Sequence, residues 1–574
     1  MAWYDESVFY HIYPLGLLGA PKQNNYDGVT HRLRELTSWI DHIKEIGCNA
    51  LYIGPLFESE GHGYETTDYM KLDSRLGDNN DLKKFVKDCH KKGVKVIFDG
   101  VFNHTGRNFF AFRDIKEHRE GSRYRDWYCN VNFYGNNEYN DGFSYDNWGG
   151  YNLLVKLNQR NPEVRDYICN VIRFWVKEFD VDGIRLDAAD VLDFDFMKAL
   201  RATANEVKPE FWLMGEVIHG DYTRWVNEGT LHSVTNYNLH KALYSGHNDH
   251  NYFEIAHTVK RLYDMGGSRP DGLKLYNFVD NHDVERIYTR LNNKAHMSPV
   301  HILMYTLPGI PSVYYGSEFA IEGRKERNSD DSLRPALNLN DYKDAVNNNP
   351  VTALITRLGQ IRQHTPALSY GDYHELVLTN RQYAFLRKFG EGYCLVAVNN
   401  DDNDCSISLP AEGHASFTAL LSGETVNAGN GQINVTLKGN SGEIWVPSDS
   451  CDKEMLKGNK IKKQTRPAAR DTIKSNTADK VQVQDSQPET ETPVETAASS
   501  GNTASSGNTA AQADNKSSAR DTSSSASYED GIIKGLQEAV LARMEKNGPV
   551  TDQMRRDVEA NVYHDSLINW IKSF

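Results

Sequence analysis

Short apolar runs alternate with amphipathic stretches along the first 365 residues. VFYHIYP (8–14), CNALYIGPLF (48–57), VKVIFDGVF (94–102), DGIRLDAA (182–189), FWLMGEV (211–217), KLYNFVD (274–280) and IPSVYYG (310–316) read as buried strands. Between them lie helical patterns, such as Leu33, Leu36, Ile40 and Ile43, which stop at Gly47. Another helix begins at Asn161-Pro162, a capping residue followed by proline at the first helical position. Strand and helix alternating about eight times predict a parallel sheet closed into a (β/α)8 barrel. The stretch from 103 to 160 is too long for a simple connection and is loaded with Asn, Asp, Tyr, Phe and Gly. It predicts a small domain inserted over the upper face, splitting the barrel into 1–102 and 161–369. From 370 to 449 the pattern changes to short strands with turn signals between them, as in YCLVAVNN and GQINVTL, which predicts a C-terminal β-sandwich.

Beyond this body the composition shifts. Residues 451–527 contain no Phe, Tyr or Trp and carry the tandem SSGNTASSGNTA. A chain so poor in apolar side chains gains too little from burial to offset its ordering entropy, so 450–527 reads as a disordered linker. After it, Ile533, Leu536, Val540 and Met544 recur at helical spacing. Asn547-Gly548-Pro549 breaks that pattern before Met554, Val558 and Val562 resume it. Residues 528–574 therefore read as a short helical hairpin, and docking to a protein partner is its expected use.

Composition narrows the function classes. A net charge of −14 argues against nucleic acid as partner. No apolar run reaches the eighteen residues a bilayer span needs, so no membrane partner is expected. Seven scattered cysteines without a CxxC pair give neither a disulfide framework nor a zinc site. The opening MAWYDESVFYHIYP lacks the charged and apolar regions of a signal peptide, which makes the cytoplasm the expected location.

Catalytic groups of such a barrel stand at the C-terminal ends of its strands. The polar residues ending the apolar runs are Asp99, Asn103 and His104; Arg185 and Asp187; Glu216; and Asn281, His282 and Asp283. Arg185 and Asp187 are two apart and share a strand face, so the guanidinium is expected to keep Asp187 ionised, as a nucleophile requires. Glu216 follows Phe211, Trp212, Leu213 and Met214, an apolar setting that raises a carboxyl toward general-acid duty. Paired carboxylates with opposed protonation demands point to glycoside cleavage, with Asp283 stabilising positive charge on the sugar. Asp99 alone reads as a cap or an anchoring salt bridge, Asn103 and His104 as caps or metal ligands, and His282 as a core histidine. Three acids gathered on one rim repel one another, and stability gives no reason to collect them.

DGVFNH (99–104), GIRLDAAD (183–190), GEVIH (215–219) and FVDNHD (278–283) resemble the four signature stretches of the α-amylase family, glycoside hydrolase family 13. FYHIYPLG and HGYETTDYMKLDSRLG (62–77) fit it too, and the resemblance covers about residues 1–450. It implies a retaining mechanism with Asp187 as nucleophile, Glu216 as acid/base and Asp283 as transition-state stabiliser. Tyr64 would stack under the sugar, with His104, Arg185 and His282 contacting nucleophile or hydroxyls. VKLN (155–158) is similar to a segment of the neopullulanase, cyclomaltodextrinase and maltogenic amylase group. The resemblance requires no cofactor and assigns no metal ligand outright, but leaves calcium open at Asn103. In oligosaccharide-specific relatives an acid at the position of Glu65 pairs with an arginine from the loop of Arg334; such a pair would block the cleft beyond one sugar.

The expected activity is retaining hydrolysis of α-1,4-glucosidic bonds in maltodextrins or cyclodextrins, an α-glucan oligosaccharide being the partner. Its rivals are transglycosylation or isomerisation through the same intermediate, a carbohydrate-binding scaffold on a dead barrel, and a metal-dependent hydrolase built on His104 and His282.

Overall fold

A computed structural model describes residues 2–266, 272–327 and 329–451, with seven helical residues beyond them: Lys534, Gln537, Glu538, Val540, Leu541, Arg555 and Val558. The linker lies outside the described residues, as does most of the hairpin; Val540 and Val558 are buried.

Eight parallel strands form the central sheet: β1 (Phe9–Ile12), β2 (Ala50–Ile53), β3 (Lys95–Gly100), β4 (Gly183–Leu186), β5 (Trp212–Gly215), β6 (Ser233–Val234), β7 (Tyr276–Asn277) and β8 (Ile310–Tyr314). Each strand pairs with its neighbour in sequence from β1 to β6, and β8 lies between β1 and β7. The ring is closed between β6 and β7 by a single bridge, Thr235 to Tyr276. Of the eight strands only β6 escapes the apolar-run reading, since Val234 is its one apolar residue and His232, Thr235 and Asn236 flank it.

The helices alternate with these strands: α1 (Thr37–Glu45), α2 (Asn79–Lys91), α3 (Pro162–Phe179), α4 (Phe194–Val207), α5 (Tyr237–Asn248), α6 (Tyr252–Asp264), α7 (Met297–Thr306) and α8 (Pro350–His364). Among the described residues no α-helix joins β5 to β6; only a 3-10 turn, Tyr222–Arg224, lies there, and two helices follow β6 instead. Asn161 caps α3 through the backbone N–H of Glu163, with Pro162 in the first turn, as the sequence predicts. α1 is preceded by a 3-10 turn, Arg32–Leu36, that carries Leu33 and Leu36. The stop after it is a glycine for a packing reason: Gly47 has φ +79°, and a Cβ there would lie 2.8 Å from the backbone of Gly359 on α8.

Period-two alternation explains how the barrel becomes a platform. Phe9, Ala50, Ile97, Trp212, Met214, Tyr276 and Ile310 point inward and pack together, while Tyr10, Leu51, Val96, Phe98 and Leu213 face the helices. The ring of Trp212 stacks on Phe9 at 5.0 Å and on Tyr4 at 5.6 Å, plugging the interior. Continuing the same inward register two residues at a time gives Phe9 to His11, Ala50 to Tyr52, Ile97 to Asp99, Gly183 to Arg185 to Asp187, and Met214 to Glu216. The apolar plug and the polar layer above it are thus successive layers of one side-chain stack.

Two excursions roof this layer. An antiparallel hairpin, Phe57–Ser59 with Thr66–Leu72, follows β2 and carries Tyr64 in its turn. Beyond β3, His104–Thr105 pairs with Tyr151–Lys156, which pairs with Asn147–Trp148. The C-terminal domain contains the antiparallel strands β9 (Asp372–Leu378), β10 (Gln382–Phe389), β11 (Gly392–Asn399), β12 (Cys405–Pro410), β13 (Ser416–Ala419), β14 (Thr425–Asn427), β15 (Gln432–Leu437) and β16 (Ser441–Pro447). They form a six-stranded sheet in the order β9-β10-β11-β16-β13-β14, with β12 paired to β15. Buried Arg387 on β10 joins domain to barrel by donating to the carbonyl of Thr306 at 2.7 Å. No helix among the described residues is long and apolar enough to cross a membrane.

Candidate active site

Arg185 is the hub of the polar layer. Its Nη1 lies 2.9 Å from Asp99 Oδ1 and 2.9 Å from Asp187 Oδ1, and its Nη2 lies 2.8 Å from Glu216 Oε2. Its side chain is 3% exposed, so these pairs are sheltered from solvent. Three strands in a row, β3, β4 and β5, thereby deliver three carboxylates to one guanidinium. Asp99 caps no helix but does anchor: besides its salt bridge to Arg185 it accepts from the hydroxyls of Tyr52 at 2.8 Å and of Tyr64, in the hairpin turn, at 3.2 Å. Ala188, directly after Asp187, takes left-handed φ 46°, an unfavourable conformation for alanine. Its N–H donates to Glu216 Oε2 at 3.0 Å, so the strained turn orients the neighbouring acid.

Asp283 arrives from the other side, after β7. Asn281 Oδ1 accepts from the backbone N–H groups of Asp283 and Val284 at 2.8 and 3.2 Å, shaping that turn. Arg334 Nη2 lies 2.8 Å from Asp283 Oδ1, and His282 Nε2 lies 3.0 Å from Asp283 Oδ2. The ring of Tyr64 is parallel to that of His282, 9° apart with centroids at 5.7 Å, and its hydroxyl bonds His282 Nε2. His104 Nε2 meets the carbonyl of Tyr64 at 3.1 Å, which ties the hairpin turn to the insertion. The seven residues singled out from sequence therefore stand in one layer. Tyr237 joins them unforeseen, because it opens α5 behind the two-residue strand; its hydroxyl donates to Glu216 Oε1 at 3.4 Å and accepts from Asn281 Nδ2 at 3.1 Å.

The electrostatics differ from the sequence expectation at Asp187. Burial pushes its carboxyl well above the ordinary value; Glu216 and Asp99 push the same way, against Arg185. One cation divided among three acids does not keep Asp187 low. Burial likewise raises Glu216, with Asp283 adding to the push and Arg185 opposing it. Asp283 goes the other way: burial would raise it, but His282, Arg334 and Arg185 together hold it well below the carboxylate range. Burial keeps His282 and His104 neutral, each lowered to about 3.

The Glu65–Arg334 pair does not form. Glu65 Oε1 pairs with His62 Nε2 at 3.1 Å, and Oε2 accepts from the N–H of Gly63. Arg334 serves Asp283 and Asp330 instead, the latter at 3.2 Å. Calcium finds no fitting cage at Asn103, whose Oδ1 accepts from Gln159 Nε2 at 3.3 Å while its Nδ2 faces His104 Nδ1. The cation would need a shell of oxygens there. The one cluster with metal-like spacing among the described residues is His31, Asp78 and Asp81, and capping explains it: Asp78 caps α2, and Asp81 pairs with Arg34 and His31.

An eight-stranded parallel barrel with acids from successive strands at one rim supports many chemistries, and its paired carboxyls suit glycoside cleavage. The family described as alpha amylase, catalytic domain, matches residues 22–353, and the chain belongs to this α-amylase family. It is 30% identical over 430 residues to a cyclomaltodextrinase of Thermoanaerobacter pseudethanolicus, covering 71% of this chain and 72% of that protein. It is 28% identical over 473 residues to neopullulanase 2 of Thermoactinomyces vulgaris, covering 77% and 78%. A solved cyclomaltodextrinase structure superposes with a TM-score of 0.69 at 26% identity, covering 77% of this chain and 78% of that one.

Proposed function

We propose that the protein is a retaining α-glucan hydrolase that cuts α-1,4-glucosidic bonds of maltodextrins and cyclodextrins. The observation that carries this reading is the pairing of Asp187 and Glu216 with the two amino groups of one guanidinium. Carboxyls held by one guanidinium are near neighbours, which supports the closer of the two glycosidase arrangements, in which one acid attacks carbon directly. Asp187 attacks the anomeric carbon while Glu216 gives its proton to the departing glycosidic oxygen. A glycosyl ester on Asp187 forms and the aglycone leaves as an alcohol. Glu216, now a carboxylate, takes a proton from water, whose oxygen replaces Asp187 at the same carbon. Both steps pass through a positively charged ring that ionised Asp283 stabilises. Asp283 also favours the proton on Glu216, since its charge adds to the upward push there. Tyr64 offers its ring face to the sugar, with His104, Arg185 and His282 around it, and no step uses a metal.

A product time course from maltoheptaose, β-cyclodextrin and pullulan tests this, run with Asp187→Asn alongside and with chelator present. Steady release of short sugars by the wild type alone, unchanged by chelator, is the expected result. Chains longer than the starting sugar would favour transfer. Binding without turnover by both proteins would sink the hydrolase reading and leave a scaffold.

A further inference from the structure

A cavity of about 10 Å³ lies in the barrel beside Arg185, lined by His11, Tyr52, Tyr237, Asn281 and His282 among others. That is room for one water, provided polar partners face it. Two buried ring nitrogens on its lining residues, His11 Nε2 and His282 Nδ1, bond to no group among the described residues. His11 is the inward residue two beyond Phe9 on β1 and is 3% exposed. Its ring is stacked on Tyr52 at 4.1 Å and tilted against Tyr314 at 4.8 Å, and it meets the ring of His282 edge-on at 5.2 Å.

Burial keeps both imidazoles neutral, so each has one donor nitrogen and one acceptor nitrogen. The site fixes which is which in His282. Its Nε2 hydrogen-bonds the hydroxyl of Tyr64, whose own proton goes to Asp99 Oδ2, and lies 3.0 Å from Asp283 Oδ2, where a bare lone pair would meet negative charge. Nε2 therefore carries the proton and Nδ1 is the acceptor, a tautomer set by its surroundings. An acceptor buried without a donor is costly.

We propose that one water in this cavity, held by His11 Nε2, donates to His282 Nδ1, and that His11 is thereby a positioning residue that keeps the proton of His282 on Nε2, toward the Tyr64 oxygen and beside Asp283. This rests on the reading of Asp283 as the group that stabilises charge on the sugar. The donor chain is then complete: His11 Nε2–H to water, water to His282 Nδ1, His282 Nε2–H to the Tyr64 oxygen, and Tyr64 O–H to Asp99. No proton changes owner in it. Without the water the opposite tautomer is populated, and a bare Nε2 lone pair faces Asp283 at 3.0 Å.

Phenylalanine keeps the ring of His11 and removes its nitrogens, whereas glutamine keeps a side chain able to hold the water. A high-resolution crystal structure of the full chain is expected to show solvent density within hydrogen-bonding distance of both nitrogens, absent in His11→Phe. In kinetics with maltoheptaose, His11→Phe is expected to lose about ten- to a hundredfold in kcat with little change in KM. The acid limb of its kcat/KM profile should move up by about one pH unit as the Nε2 lone pair of His282 comes to face Asp283. His11→Gln should recover most of both. A packing defect would lower Tm and leave the acid limb in place. An empty wild-type cavity, an unmoved limb in His11→Phe, or a His11→Gln as impaired as His11→Phe each overturns the proposal. If His11→Phe does not fold, the wild-type density and His11→Gln still decide it. Full activity in Asp187→Asn would instead sink the catalytic reading, and the density test of the water would stand apart from it.

Discussion

Arg185→Met tests whether the hub works by charge. The substitution keeps a long apolar stem and removes the one cation that faces Asp99, Asp187 and Glu216 at 2.8–2.9 Å. Removing one partner from a buried ionic group costs about 3–5 kcal/mol, because the remaining charges stay uncompensated. That cost applies while the acids are ionised, and protonation relieves it. The folded carboxyls, already raised by burial, rise further without the guanidinium. A carboxyl whose folded pKa exceeds its unfolded one contributes stability that is fully present below the unfolded value, near 4, and lost as pH rises through the folded value. One such group is worth about 1.4 kcal/mol per pH unit, so two units return about 2.7 kcal/mol. Urea unfolding of wild type and variant at pH 8 and pH 6, followed by tryptophan fluorescence, should show a deficit that shrinks by roughly that amount at the lower pH. An equal deficit at both values would refute the argument and reduce Arg185 to a packing element.

Three more outcomes are expected. Arg334→Ala removes a cation from Asp283, so the acid limb of kcat/KM should move to higher pH; an unmoved limb would mean that His282 and Arg185 suffice. Five buried histidines and half-buried His232 are held neutral, with His104, His247 and His282 lowered to about 3 and His232, His240 and His301 to about 4. Their contribution is fully present above the unfolded value near 6.5 and is lost as pH falls below it toward those folded values, so stability should drop between pH 6 and 4; scanning calorimetry across that window checks it. Gly47→Ala forces a side chain into left-handed φ +79° and against Gly359, and should cost at least about 1–3 kcal/mol by urea midpoint while leaving KM unchanged.

What was legible in the chain follows from how each feature is encoded. Apolar runs mark strands because burial is repeated over several residues, and their last polar residue marks the rim. This is why Asp187, Glu216 and Asp283 could be singled out together. β6 carried no such mark, and Tyr237, which follows it, went unseen although its hydroxyl reaches Glu216. Pair partners were less readable than positions. A shared strand face points Arg185 to Asp187, yet its other two partners come from neighbouring strands, and burial, with Glu216 and Asp99 adding to it, reverses the expected direction at Asp187. Glu65 and Arg334 were matched by resemblance, but His62, three residues before Glu65, reaches that acid instead.

The single bridge between β6 and β7 makes the ring a band fastened by one stitch. Beside it are the N–H of Asn236, donating to the Tyr276 carbonyl at 2.9 Å, and the Asn236 amide, donating to Asn277 Oδ1 at 2.8 Å, with His240 Nδ1 3.0 Å from the Val279 carbonyl further on. The stitch falls between two halves of the chemistry. Asp99, Arg185, Asp187 and Glu216 ride on β3 to β5, while His282 and Asp283 follow β7 and Arg334 follows β8. Slack at the fastening would part Asp283 from Glu216 and leave the three ion pairs of Arg185 whole. Tyr237, bonded to Glu216 on one side and to Asn281 on the other, is the thread across that gap. Tyr64, bonded to Asp99 on one side and to His282 on the other, is a second thread between the same two halves.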